Sequence, residues 1–212
     1  MNLVDALRLI VITDRRLAHP RSVENVVVEV LRAGVRAIQL RDKEASAREL
    51  LNHAILLRER TKEFGALLFI NDRLDVALAA GADGVHLGPD DLPLGAARAA
   101  SPPGFLIGTS TDIPGVAMDL QAAGADYIGC GAVFPTTSKK DAGEVIGIDG
   151  LATVAAVVGI PVVGIGGVTP EGARLIADGS GAVGTAVISA VMAAPDPGQT
   201  ARDLMGPFRR ED

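Results

Sequence analysis

The sequence predicts a (β/α)8 barrel occupying residues 1–212 as one domain, and three observations carry that expectation. Eight short apolar runs each stop at a cluster of glycine or polar residues. The segments between them have helical length and a helical spacing of apolar residues. The last two stops, Gly164-Ile165-Gly166-Gly167 and Val187-Ile188-Ser189, have the composition of a phosphate cradle, and barrels of this class commonly bind phosphate after their seventh and eighth strands.

The first run is Leu7 to Thr13, and Val23 to Ala33 follows with Val26, Val27, Val30 and Leu31 at helical spacing. The second run, Ala37 to Leu40, precedes a longer helix from Ala47 to Phe64 with Leu50, Leu51, Ala54 and Leu57. Leu67 to Ile70, Gly84 to Leu87, Phe105 to Gly108 and Tyr127 to Gly131 are the middle runs, and Pro161 to Ile165 and Ala182 to Val187 the last. Uninterrupted Val, Ile, Leu and Gly suit parallel strands covered on both faces. A weak repeat, Arg32-Ala33-Gly34-Val35, Ala80-Gly81-Ala82-Asp83 and Ala123-Gly124-Ala125-Asp126, precedes three of the strands. Its glycine fits the left-handed residue that ends a helix. Eight units in 212 residues leave almost no room for a second domain, which favours a barrel over an open doubly wound sheet.

Composition narrows the class of function. Apolar residues make up 48% and charged residues 22% of the chain, as expected of one well-buried core under a wet surface. A net charge of −6, without any extended run of Lys and Arg, argues against nucleic acid or an anionic membrane as partner. The single cysteine, Cys130, excludes an internal disulfide framework and suits a reducing, cytoplasmic setting; between glycines in a strand it reads as packing. The apolar patch from Leu7 to Ile12 is flanked by Asp5 and Asp14 and is too short to span a bilayer, so neither a signal peptide nor a membrane span is expected. A homo-oligomer is compatible with this composition.

Chemistry in such a barrel gathers where the strands end. After the second run, Gln39, Arg41 and Lys43 alternate and share one face if the strand continues; the two cations suit a diphosphate, while Asp42 and Glu44 read as a solvated loop. The third run ends in Asn71-Asp72-Arg73 and the fourth in Gly88-Pro89-Asp90-Asp91. Asp72 and Asp91 form the candidate magnesium pair, since this ion takes one or two carboxylates and completes its shell with water and phosphate oxygens. Both could instead cap the helices starting near Leu74 and Leu94, and Asp90 reads as a cap or a supporting group. His86, inside an apolar strand, reads as an internally hydrogen-bonded residue, and His19 and His53 have no partner in view. Ser110 follows the fifth run with no histidine or lysine nearby in sequence to activate it, so binding is expected of it rather than covalent catalysis. Thr136, Thr137, Ser138 and Lys139 follow the sixth run in a loop suited to anions, with glycines that let it order over substrate; Lys140 reads as surface. Gly166 and Gly167 lead to Thr169 and Pro170, a cap and first turn whose amides can hold phosphate without a charged side chain.

The ordered set Gln39 to Lys43, Asn71-Asp72, His86-Leu87-Gly88 with Asp91, Phe134-Pro135-Thr136 with Ser138-Lys139, Gly166-Gly167 and Ile188-Ser189 resembles thiamine-phosphate synthase over nearly the whole chain. The resemblance implies a transferase that joins 4-amino-2-methyl-5-pyrimidinylmethyl diphosphate to a thiazole phosphate. By similarity, Gln39, Leu40, Arg41, Asp42, Lys43, Asn71, Ser110 and Lys139 would hold the pyrimidine diphosphate, with Arg41, Lys43, Lys139 and Ser110 serving the reaction. Asp72 and Asp91 would hold Mg2+, and Thr136, Thr137, Ser138, Gly167, Ile188 and Ser189 the thiazole phosphate. Two positions depart from the family's pattern: Pro89 stands where a glutamine is common, and Asp112 where a histidine is frequent. That histidine would serve acid/base chemistry in a sister family that isomerises the thiazole. Its absence beside Gln39 and the Asp90-Asp91 pair favours the synthase over the tautomerase. A non-catalytic phosphate-binding regulator, the third reading, has little need for so complete a metal and diphosphate set. A sugar-phosphate isomerase would want a general base at the rim, and the sequence offers none beyond the two metal candidates.

Overall fold

The computed structural model describes residues 2–136 and 144–209. Every predicted run contributes one strand: β1 (Leu9–Ile12), β2 (Ala37–Leu40), β3 (Leu67–Asn71), β4 (Gly84–Leu87), β5 (Leu106–Ser110), β6 (Tyr127–Cys130), β7 (Val162–Ile165) and β8 (Gly184–Val187). All pair in parallel in sequence order, and β8 closes on β1. The fold class expected from the alternating pattern is therefore the one observed. Around the barrel run α1 (Leu3–Ala6), α2 (Arg15–Ala18), α3 (Val23–Arg32), α4 (Ala47–Glu63), α5 (Leu74–Ala80), α6 (Leu94–Ala100), α7 (Pro114–Ala122), α8 (Gly147–Val157), α9 (Pro170–Gly179), α10 (Ser189–Met192) and α11 (Pro197–Met205). None of the described helices is long and apolar enough to cross a membrane.

Local sequence explains where the helices begin. Ser22 accepts from the Asn25 amide at the start of α3, and Ser46 and Glu49 form a reciprocal capping box on α4. Thr169 caps α9 through the Gly172 amide, with Pro170 in the first turn as its fixed φ allows. The strands differ from expectation mainly at their ends. β3 and β5 run on to Asn71 and Ser110, so two candidate site residues are held by the sheet rather than by loops.

The pleat and the register decide which side chains enter the barrel. Gln39 pairs with Phe69, Asn71 with His86, His86 with Gly108, Gly108 with Tyr127 and Ser110 with Gly129. Partners across a parallel pair share a face, so these residues form one interior set. Gly108 is glycine for a steric reason: a Cβ there would lie 2.1 Å from the Tyr127 ring. The alternate residues, among them Ile38, Leu68, Val85, Ile107 and Ile128, are fully buried in the layer between strands and helices.

The internal repeat has a structural use at the opposite end of the barrel. Gly34, Gly81 and Gly124 all adopt positive φ, as expected of helix-ending glycines. The aspartate that follows twice reaches back to the preceding strand: Asp83 accepts from the Leu68 amide at 2.8 Å and Asp126 from the Ile107 amide at 2.7 Å. Arg58 pairs with Asp83, and Arg98 with Asp126, Arg98 also donating to the Phe105 and Gly124 carbonyls. Replacing Asp126 with Ala would strand the Ile107 amide and take from Arg98 its counter-charge, leaving it the two carbonyls. The expected cost is about 2 kcal/mol, allowing for partial solvent access. That corresponds to a fall of ~4–8 °C in melting temperature for a chain of this size, while kcat stays unchanged because the pair lies away from the strand ends that carry chemistry. A thermal melt beside a turnover assay checks both halves.

Candidate active site

A cavity of about 290 Å³ opens at the carboxyl mouth of the barrel, lined by residues at the ends of β2 through β8. Its walls differ in charge and are best described one at a time.

Arg41 and Lys43 form the cationic wall. The Thr13 hydroxyl latches this segment by accepting from the Arg41 amide at 3.0 Å and donating to the Arg41 carbonyl at 3.3 Å. Arg41 Nε is buried and lacks a hydrogen-bond partner among the described residues. A desolvated donor of this kind is costly unless an anion arrives to accept from it. The neighbours do other work. Leu40 is 3% exposed and belongs to the core, while Asp42 Oδ1 accepts from the Glu44 and Ala45 amides and holds the loop. Glu44 is ion-paired to Arg15 and Arg16. Gln39, 2% exposed, is an interior residue facing Tyr127 rather than a lining residue. Of the five residues from Gln39 to Lys43, only Arg41 and Lys43 line the cavity.

Next to them, at the ends of β3 and β4, Asn71, Asp72 and Asp91 line the cavity with Pro89 and Asp90. Neither aspartate is a helix cap, for Arg73 and Pro93 occupy those positions without side-chain cap bonds. The same holds of Asp90, whose expected capping role gives way to a place on the cavity wall. Asp91 Oδ2 accepts from the Gly88 amide at 2.7 Å, which fixes its carboxylate over the mouth. Asp72 has φ 64°, the left-handed region that a non-glycine residue seldom enters, and its amide donates to the His86 carbonyl. Burial first, and the nearby Asp91 carboxyl with it, push the Asp72 carboxyl up to about 6 against the pull of Lys43 and Arg41. Two carboxylates competing for one small space, with cations close by, suit a divalent ion that takes few protein ligands. The described residues contain no group of three or more His, Cys, Asp or Glu that would hold a metal without help from substrate or water.

The floor carries a contact that sequence distance hid. His86 Nε2 lies 2.8 Å from Ser110 Oγ and Nδ1 lies 2.9 Å from the Tyr127 hydroxyl. His86 is internally hydrogen-bonded, as expected, yet it also lines the cavity. No histidine lies near Ser110 in sequence, but one lies near it in space: the two residues are 24 apart in the chain, and the β4–β5 register brings them together. The signal was available in the shared inward parity of the two strands; Tyr127, at the start of β6, was missed for the same reason.

The remaining wall is the cradle. Gly166 and Gly167 take φ 100° and 62°, and a Cβ on Gly167 would sit 2.4 Å from the Pro135 carbonyl. The segment after β6 is stitched to that after β7 by Val133 N to Ile165 O and Phe134 N to Gly166 O, at 2.9 and 3.0 Å. Thr136, Gly167, Ile188 and Ser189 consequently line one cavity. Thr137, Ser138 and Lys139 lie outside the described residues. Cys130 is fully buried and its thiol is pushed up to about 12 by burial, the behaviour of a packing residue. Asp112 is exposed and does not line the cavity.

A closed (β/α)8 barrel with paired acids, two cations and a glycine-built cradle at its mouth defines a phosphate-handling barrel enzyme. Residues 9–191 match the family described as Thiamine monophosphate synthase. The chain is 47% identical over 204 residues to a Thiamine-phosphate synthase of Pyrococcus furiosus, covering 96% of each. A solved Thiamine phosphate pyrophosphorylase from Pyrococcus furiosus superposes with a TM-score of 0.89 at 44% identity, covering 98% of both chains. A Thiamine biosynthesis bifunctional protein of Symbiobacterium thermophilum is 49% identical over 187 residues; the match spans 88% of this chain and 38% of that longer protein. The chain belongs to the thiamine monophosphate synthase family, and it is a transferase of thiamine biosynthesis acting on small molecules.

Proposed function

We propose that the cavity joins 4-amino-2-methyl-5-pyrimidinylmethyl diphosphate to thiazole phosphate, with diphosphate leaving before the thiazole nitrogen captures the pyrimidine-methyl cation. The observation that carries this reading is the buried, unpartnered Arg41 Nε beside the acid pair of Asp72 and Asp91. Arg41 and Lys43 accept the charge that accumulates as diphosphate departs, and Lys139 adds a third cation. Preorganised charge of this sort stabilises a dissociative transition state without a strong base. Asn71 and Ser110 orient the pyrimidine diphosphate, while Gln39, Leu40 and Asp42 support it from behind the lining residues. Thr136, Thr137, Ser138, Gly167, Ile188 and Ser189 hold the thiazole phosphate, the glycine by its bare amide. Asp72 and Asp91 would hold Mg2+, which when bound neutralises diphosphate oxygens. Asp112, where the tautomerase reading wants its acid/base histidine, is exposed and off the cavity wall, which supports the synthase. The lone, deeply buried thiol of Cys130 supports a cytoplasmic setting.

Purified protein given both substrates with magnesium is expected to form thiamine phosphate, read as fluorescent thiochrome after oxidation, and to form none with EDTA. Equal product with EDTA would remove the metal from the reading. No product under either condition would remove the synthase reaction itself.

A further inference from the structure

We infer that Tyr127 is a positioning residue which, through His86, sets the direction of the Ser110 hydroxyl so that its proton points into the cavity. The substrate atom that meets Ser110 is accordingly a hydrogen-bond acceptor, such as an unprotonated pyrimidine ring nitrogen or a diphosphate oxygen, and not the amino group. The identity of that substrate rests on the function proposed above; the relay itself does not.

The argument starts from burial. Tyr127 is 0% exposed, and a hydroxyl there must donate to something. Burial keeps the phenol protonated across the working pH range. The acceptor that geometry sets against the phenol is His86 Nδ1 at 2.9 Å, and the phenol proton goes there. Gln39, buried on the same interior face, then has the phenol oxygen to donate to. An imidazole that accepts at Nδ1 carries its proton on Nε2. Nε2 then donates to Ser110 Oγ at 2.8 Å, and the serine proton is left for the cavity.

The same direction prevents His86 from acting as base toward Ser110, since its nitrogen on that side is already protonated. A close Ser–His pair is thereby a binding device rather than a nucleophile and its base. The barrel makes space for the relay deliberately. A Cβ on Gly108 would overlap the Tyr127 ring, and one on Gly129 would lie 3.2 Å from His86 Cε1. Phe69 packs edge-on against Tyr127 with ring centroids 5.4 Å apart, so the phenol cannot swing away.

The test uses the three histidines of the whole protein, His19, His53 and His86, labelled with 15N and assigned with a His86→Gln variant. His86 in the wild type is expected as the Nε2–H tautomer, and Tyr127→Phe, which keeps the ring, is expected to shift it toward a mixture. The same variant should raise KM for the pyrimidine diphosphate about tenfold, the worth of one aligned hydrogen bond, and leave KM for thiazole phosphate unchanged. An Nδ1–H tautomer in the wild type overturns the inference, as does a Tyr127→Phe enzyme with unaltered tautomer and KM. Should the variant fail to fold, the wild-type tautomer decides. It decides equally if the protein makes no thiamine phosphate, in which case the proposed reaction falls and the relay is judged by itself.

Discussion

Replacing Asp72 with asparagine is expected to lower magnesium-dependent turnover by at least 10³-fold, the scale of losing a charge that acts at the transition state, while raising the melting temperature at neutral pH. The two effects have one cause. Asp72 is held beside Asp91 in partly desolvated surroundings, so its carboxyl is pushed up to about 6 from an ordinary value of 3.8. A folded-state pKa above the unfolded one means that the protonated form is favoured by folding. That contribution is complete below about pH 4 and is lost as pH rises through 6, so at pH 7.5 the metal-free protein carries the cost of an ionised, partly desolvated carboxylate beside a second one. Asparagine removes the charge and tolerates the φ of 64°. The gain at pH 7.5 is about 1 kcal/mol, taking roughly a third of the linkage value because the group is partly open to solvent, or ~2–4 °C. Alanine at the same position loses activity equally but gains less stability, because its Cβ is strained where asparagine's is tolerated.

The pH profile follows with its sign. Metal binding needs the ionised pair, so below pH 6 a proton must be displaced for each ion bound, and the magnesium concentration for half-maximal rate should rise about tenfold per pH unit there. Above pH 7 it should be flat. Melting curves at pH 4 and 7.5, each with magnesium and with EDTA, separate the readings: the asparagine variant's advantage should vanish at pH 4 and shrink at pH 7.5 when the wild type is given the ion. A variant less stable than wild type at both pH values, with turnover retained, would make Asp72 a structural residue.

What the sequence disclosed divides along physical lines. Strands were legible because parallel strands in a closed barrel are buried on both faces and read as unbroken apolar runs. Arg41, Lys43, Asp72, Asp91 and Gly167 were legible because strand-end residues face the mouth whatever the details of their packing. Leu40 and Asp42 belong to the same stretch of sequence, yet strand parity turns Leu40 into the core and two backbone amides claim Asp42. Nothing in a linear motif distinguishes a residue that touches the cavity from the neighbour that shapes it. The Ser110–His86–Tyr127 contact was hidden for a different reason. It joins three strands through their register, and register is set by the closed barrel as a whole rather than by any one segment.

Replacing Gly167 with alanine is expected to raise KM for thiazole phosphate about 100-fold while leaving KM for the pyrimidine diphosphate within a few-fold, since a displacement near 1 Å is enough to cost that much. The glycine is needed twice over. Its φ of 62° costs an L residue about 1 kcal/mol, and its Cβ would meet the Pro135 carbonyl at 2.4 Å and Phe134 Cβ at 2.9 Å. Both obstacles belong to the segment after β6, which two backbone hydrogen bonds fasten to β7 and its cradle. Relief therefore comes from separating the cradle from Thr136, the pair that would grip the phosphate. The pyrimidine side is largely spared because, Lys139 aside, it is built on β2 to β5, and those strands are not part of the displaced junction. Initial rates with each substrate varied in turn decide the matter. A proportional loss toward both substrates would place the fault in the barrel as a whole, and an unchanged KM for thiazole phosphate would move the phosphate away from Gly167.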